Sequence, residues 1–124
     1  MDNQLAQPEV IVRQITLMVI VMMLVISTGI LGCHLLRVSD PYVKSVLSLK
    51  GNSEQGHAMF QINCSDCHGL QGHGKVGPSL TGISKRKSKI DLIHQVTDGN
   101  TPPMPKFQPS PQEMADLLSY LEEL

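Results

Sequence analysis

The chain has 124 residues, a formal net charge of −1 and 3% aromatic residues, with no Trp. Near-neutrality excludes a nucleic-acid surface built on excess Lys and Arg. A small domain so poor in aromatics lacks core-forming side chains and calls for a staple, and three Cys (33, 64 and 67) cannot make a disulfide framework.

Residues 1–14 read as an N-terminal tail, and residues 15–36 as a transmembrane anchor. The latter 22 residues contain no Asp, Glu, Lys or Arg. As a helix they span roughly 33 Å, close to the thickness of bilayer hydrocarbon. Arg13 and Arg37 flank the run and would snorkel to the interfaces. A cleaved signal peptide would have a basic leader, whereas residues 1–12 carry Asp2 and Glu9 and no Lys or Arg. Ile30-Leu31-Gly32-Cys33 resembles a lipoprotein processing site, but Leu31 suits it poorly. The preferred reading of Cys33 is a small apolar residue near the helix end. Either reading ties the rest of the chain to a membrane. Arg37, Lys44 and Lys50 follow the anchor and mildly favour a cytoplasmic C-terminal part.

Residues 37–50 read as a linker, with Pro41 stopping the anchor helix. The globular part is 51–124. Asn52 or Ser53 caps a helix running to about Cys64, with Ala58, Met59, Phe60 and Ile62 as its apolar positions. The Gly-rich residues 69–82 are loop. A short helix follows from Ser88 or Lys89 to about Thr97, with Ile90, Leu92, Ile93 and Val96 at helical spacing and Asp98-Gly99 as its stop. Residues 101–109 hold four prolines and must be extended or turning. Ser110-Pro111-Gln112-Glu113 is a capping box, and the helix it starts carries the stripe Met114, Leu117, Leu118, Leu121. No strand is legible, so the fold class is all-α. Lys85, Arg86, Lys87 and Lys89 form a basic run that could steer an acidic partner or be a solvated loop. Glu113, Asp116, Glu122 and Glu123 gather at the end.

Cys64-Ser65-Asp66-Cys67-His68 carries the chemistry. Two thiols separated by two residues at a helix end reach two vinyl groups on one porphyrin edge. The next residue, His68, then lies where its imidazole binds the iron. A thioredoxin-like dithiol would need a βαβ context, and zinc would need a fourth ligand and a second Cys pair. One covalent haem c is therefore the expected cofactor. For the second axial ligand the candidates are Met59, Met104 and Met114, and His57, His73 and His94. Met104 is preferred, because Thr101-Pro102-Pro103-Met104-Pro105 holds the thioether with little ordering entropy left to lose. His73, in the glycine loop, is the alternative. Leu80, Ile83, Leu92, Ile93 and Leu118 are expected to bury the macrocycle.

On these residues the chain resembles class I cytochromes c across about 51–124. Gly56 and Phe60 match first-helix positions that pack on the last helix, where Tyr120 is the aromatic partner. Gly77-Pro78-Ser79-Leu80 resembles the loop after the haem attachment site. The resemblance implies that the Pro78 carbonyl accepts from His68 Nδ1, and that Leu80 packs on the haem edge. Met104, with Pro105 and Phe107, resembles the methionine loop. The anchor and the terminal segment resemble a membrane-bound cyanobacterial branch of that family. That resemblance implies a thylakoid or cytoplasmic membrane, with the haem domain on the lumenal or periplasmic side, against the charge rule. It also implies redox protein partners in photosynthetic and respiratory chains, a terminal cytochrome oxidase among them. The expected function is one-electron transfer, the alternative a regulatory haem protein modulating an electron-transfer complex. A peroxidase-like enzyme would need an open iron position, which Met104 would fill.

Overall fold

The computed structural model describes residues 8–99 and 101–124. Among them there are helices and loops and no strand. The chain divides into two units, residues 1–37 and 38–124.

The first unit is helix α1, Pro8–Val38. It runs N-terminally past the expected anchor, taking in residues 8–14 of the expected tail; residues 1–7 lie outside the described residues. Pro8 opens α1, where a missing N–H costs nothing, and Glu9 in the first turn complements the helix dipole. By length and composition α1 is apolar enough to cross a membrane. The hydroxyls of Thr16, Ser27 and Thr28 donate to carbonyls one turn back, which masks them inside an apolar helix.

The second unit begins with an element that the sequence reading missed. The segment expected as linker carries helix α2, Pro41–Ser48. Pro41 ends α1 as expected, but the same residue is favoured at the first position of a new helix. The Asp40 side chain accepts from the Tyr42 N–H at 2.8 Å as N-cap. Val43 and Val46 are buried, and the Tyr42 hydroxyl donates to the Pro109 carbonyl at 2.9 Å.

Helix α3, Ser53–Asn63, is capped by Asn52, whose side chain accepts from the Glu54 and Gln55 N–H groups. Helix α4, Ser65–His68, follows directly. A single 3-10 turn, Ile83–Lys85, precedes α5, Lys89–Asp98, capped by Ser88 and stopped at Gly99 in the left-handed conformation. Helix α6, Pro111–Glu123, has the expected capping box and buries Met114, Leu117, Leu118 and Leu121.

The core lies where α2, α3 and α5 meet α6, around Phe60, Ile93, Met114 and Leu117. Two of the four apolar positions expected on α3 face solvent: Ala58 is exposed and Ile62 is 81% exposed. The face of α3 against α6 is set instead by Gly56 and Phe60, one turn apart. Asp116 does not join the solvated acids at the chain end. It is buried, and its Oδ1 accepts from the Asn52 N–H at 2.8 Å and Gln112 Nε2 at 2.9 Å. One carboxylate thus ties the start of α3 to α6.

The box at Ser110 gives a test of α6. The Ser110 hydroxyl and backbone N–H donate to Glu113, which lowers that carboxyl's pKa below the usual glutamate value. The stabilisation from the carboxylate half of the box is fully present above the usual glutamate pKa and is lost as pH falls through the lowered value. Ser110→Ala should cost about 1 kcal/mol at neutral pH. The gap between the denaturant midpoints of variant and parent should narrow in acid without closing, because the Ser110 hydroxyl still accepts from the Glu113 N–H.

Candidate haem site

The attachment motif sits where α3 turns into α4. The N–H groups of Cys67 and His68 both reach the Cys64 carbonyl, at 3.2 and 2.9 Å. Cys64 and Cys67 are therefore one helical turn apart, with His68 next in line. The Ser65 hydroxyl, on a buried residue, donates to the Gln61 carbonyl at 2.7 Å and ties α4 back to α3.

The loop after α4 is built to hold the imidazole. Gly74 N–H donates to the His68 carbonyl and Gly77 N–H to the Cys67 carbonyl, each at 2.7 Å. His68 Nδ1 lies 2.8 Å from the Pro78 carbonyl, which fixes the proton on Nδ1 and leaves Nε2 as the free lone pair. Gly77 backs the ring closely. A Cβ there would come within 2.8 to 3.2 Å of three imidazole atoms, so no side chain fits without moving His68. Leu80 N–H then donates to the Gly72 carbonyl at 2.7 Å, and the Leu80 side chain packs partly buried against the core.

The two thiols differ. Cys67 is exposed, whereas Cys64 is half-buried. Burial, and secondly the neighbouring Cys67, push the Cys64 thiol up to about 11. A nucleophilic thiol needs its thiolate near neutral pH, so Cys64 is poorly suited to that chemistry. Among the described residues no three of His, Cys, Asp and Glu gather as a metal-ligand set.

The six candidates for a second axial ligand are spread apart. Met114 is fully buried between helices, and Met59 packs against the core from α3. His73 is exposed, with Nδ1 3.3 Å from the Thr81 hydroxyl. His57 stacks on Tyr120 at 4.8 Å, and His94 Nδ1 lies 3.3 Å from Asp98. Met104 is partly buried against the core, its N–H donating to the Thr101 carbonyl at 3.0 Å. Sequence reasoning missed its neighbour Gln95. The Gln95 amide donates to the Thr101 hydroxyl at 2.7 Å and lies 3.7 Å from Met104 Sδ. The available signal was a polar residue on α5 between the buried Leu92 and Val96.

The donor set fits a c-type haem: two thiols one turn apart, a neighbouring imidazole with a fixed tautomer and free Nε2, and a thioether held in a proline loop. A family model described as cytochrome c oxidase, cbb3-type, subunit III matches residues 51–121. A cytochrome c-553-like protein of Synechocystis is 60% identical over 85 residues, covering 68% of this chain and 81% of its own length. Cytochrome c2 of Rhodopila globiformis is 32% identical over 100 residues, covering 60% of this chain and 94% of its own length. Cytochrome c of Arabidopsis thaliana is 38% identical over 56 residues, covering 44% and 50%. No solved structure matches the chain at comparable significance. With an all-helical haem-type domain and these relatives, the chain belongs to the class I c-type cytochromes, electron-transfer proteins that carry covalent haem c.

Proposed function

We propose that this cytochrome is a membrane-anchored carrier of single electrons, with Cys64, Cys67, His68, Pro78, Leu80 and Met104 as its haem site. The observation that carries the site is the His68–Pro78 hydrogen bond at 2.8 Å beside the paired thiols. Bound haem supplies a one-electron iron couple. Cys64 and Cys67 would hold it by thioethers, and His68 Nε2 and Met104 Sδ would be the axial ligands. The Pro78 carbonyl keeps the imidazole oriented, with Nε2 turned free of that bond. Met104, set between prolines, would need little rearrangement on a change of charge.

The domain division follows the same reading: α1 anchors, and residues 51–124 are the haem domain, with α2 packed onto it. Thioether attachment favours the lumenal or periplasmic side of a thylakoid or cytoplasmic membrane. The acceptor we favour is a terminal oxidase of the same membrane. Its support is the description of the matching family as an oxidase subunit, together with the apolar length of α1.

Two measurements test the site. The purified ferric protein should show a weak thioether-to-iron band towards the red that is absent in Met104→Ala, while covalent haem remains. A band that survives Met104→Ala would remove Met104 from the iron. Gln95→Leu should keep the band but lower the midpoint potential in a redox titration. An amide N–H donated to the sulfur draws electron density from it and disfavours the ferric state. An unchanged potential would leave Gln95 as a loop tie to Thr101 alone.

A further inference from the structure

We infer that the α2 face of the haem domain rests on the lipid surface of the membrane that holds α1, so that the domain is oriented as well as tethered. This rests on the membrane reading of α1. Only Ser39 and Asp40 separate α1 from α2. From Val38 to Pro41 there are three chain steps, at most about 11 Å, so the start of α2 cannot leave the interfacial zone where α1 ends. Nor is α2 a loose spacer: Val43 and Val46 are each 1% exposed, and Tyr42 is bonded to Pro109.

The outer side of this segment has the chemistry of an interfacial helix. Leu47 and Leu49 are 43% and 40% exposed, although an eight-residue helix with two valines already buried has no need of them for its own packing. They border a shallow cavity of about 90 Å³ that also reaches Gly51, Lys89 and Leu118. Lys44 and Lys50 stand exposed beside them, each in no ion pair among the described residues. The third cation, Lys89, is neutralised by Glu122 at 2.9 Å. Apolar side chains flanked by long cationic ones suit the boundary of acyl chains and anionic headgroups, where lysines snorkel. The consequence is a defined presentation of the haem site to partners that lie in the same membrane, and a poor fit to a carrier that must diffuse between distant ones.

The test uses the full chain with haem, reconstituted in vesicles of phosphatidylcholine and phosphatidylglycerol. Single nitroxide labels go on Leu47→Cys, on Gln61→Cys of α3 and on Val21→Cys of α1, each in a Cys33→Ser background. Relaxation by oxygen, which partitions into lipid, is compared with relaxation by a water-soluble nickel chelate. The expected result is an oxygen-to-nickel ratio at Leu47 several-fold above that at Gln61. Lys44→Glu with Lys50→Glu should lower it toward the Gln61 value. A Leu47 label as open to nickel as Gln61, with Val21 in lipid, overturns this inference alone. A Val21 label open to nickel overturns the anchor reading, and this inference with it.

Discussion

Replacing Cys64 and Cys67 together by Ser should abolish covalent haem and with it the stable fold of residues 51–124. The attachment half follows from chemistry: thioethers need both sulfurs, and hydroxyls do not substitute. Haem staining after denaturing electrophoresis should be lost. The folding half follows from the core. Phe60 is its one fully buried aromatic among the described residues, and the largest other buried side chains are aliphatic or Met. A haem c would add a large apolar plate beside Leu80, Leu92 and Met104. Losing it removes stabilisation on the scale of the roughly 5–15 kcal/mol that holds a small domain together. Far-UV circular dichroism of the double variant should show helix α1 and little more. The single variants should separate the two thiols. Cys67 is exposed and Cys64 half-buried, so Cys64→Ser also places a hydroxyl in a partly apolar site, and its melting temperature should be the lower. Haem staining that survives the double substitution would refute the attachment site.

The attachment half of the candidate haem site draws on residues local in sequence. Cys64, Cys67 and His68 form one turn of chain, and the Pro78 carbonyl lies ten residues on, so a motif and a family likeness located both. The helices were legible where a cap and an apolar stripe coincide, as at Ser110 with Met114, Leu117, Leu118 and Leu121. What stayed hidden depends on contacts between distant segments. Helix α2 has two buried residues in eight, and Pro41 reads equally well as the end of one helix or the start of the next. Ile62 is one of the apolar positions of α3, yet it lies on the solvent side because Gly56 and Phe60 set the packing face. In the sequence Asp116 is one of four acids gathered at the chain end, and only its bonds to Asn52 and Gln112 set it apart as buried. Gln95 gave only the weak signal of a polar residue between Leu92 and Val96, because its partner sulfur is nine residues away across a turn.

Gly56→Ala should destabilise the haem domain although alanine is the better helix former. By intrinsic propensity the change would stabilise α3 by about 1 kcal/mol. Packing opposes it. A Cβ at Gly56 would run into the carbonyl oxygen of Asp116, with the carbonyl carbon at 2.6 Å and Tyr120 Cβ at 3.0 Å. These are backbone and Cβ atoms of α6 and have no rotamer to change. Asp116 also accepts through its side chain from the Asn52 N–H at the start of α3, so α6 cannot slide past α3 at that point. The two helices must separate, which loosens Phe60 against Tyr120, whose rings lie 5.2 Å apart. Overpacking of this kind costs about 1–3 kcal/mol, and more where backbone must move, so the net sign is a loss. Ala58→Gly is the control on the same helix: Ala58 is exposed, and the change should cost only about 1 kcal/mol by propensity. Because α3 runs directly into Cys64, the strain at Gly56 is transmitted to the attachment site. Gly56→Ala should therefore also lower the yield of haem-loaded protein, which Ala58→Gly should leave near the parent. Equal or greater stability of Gly56→Ala in denaturant titration would mean that α3 and α6 do not cross at this residue.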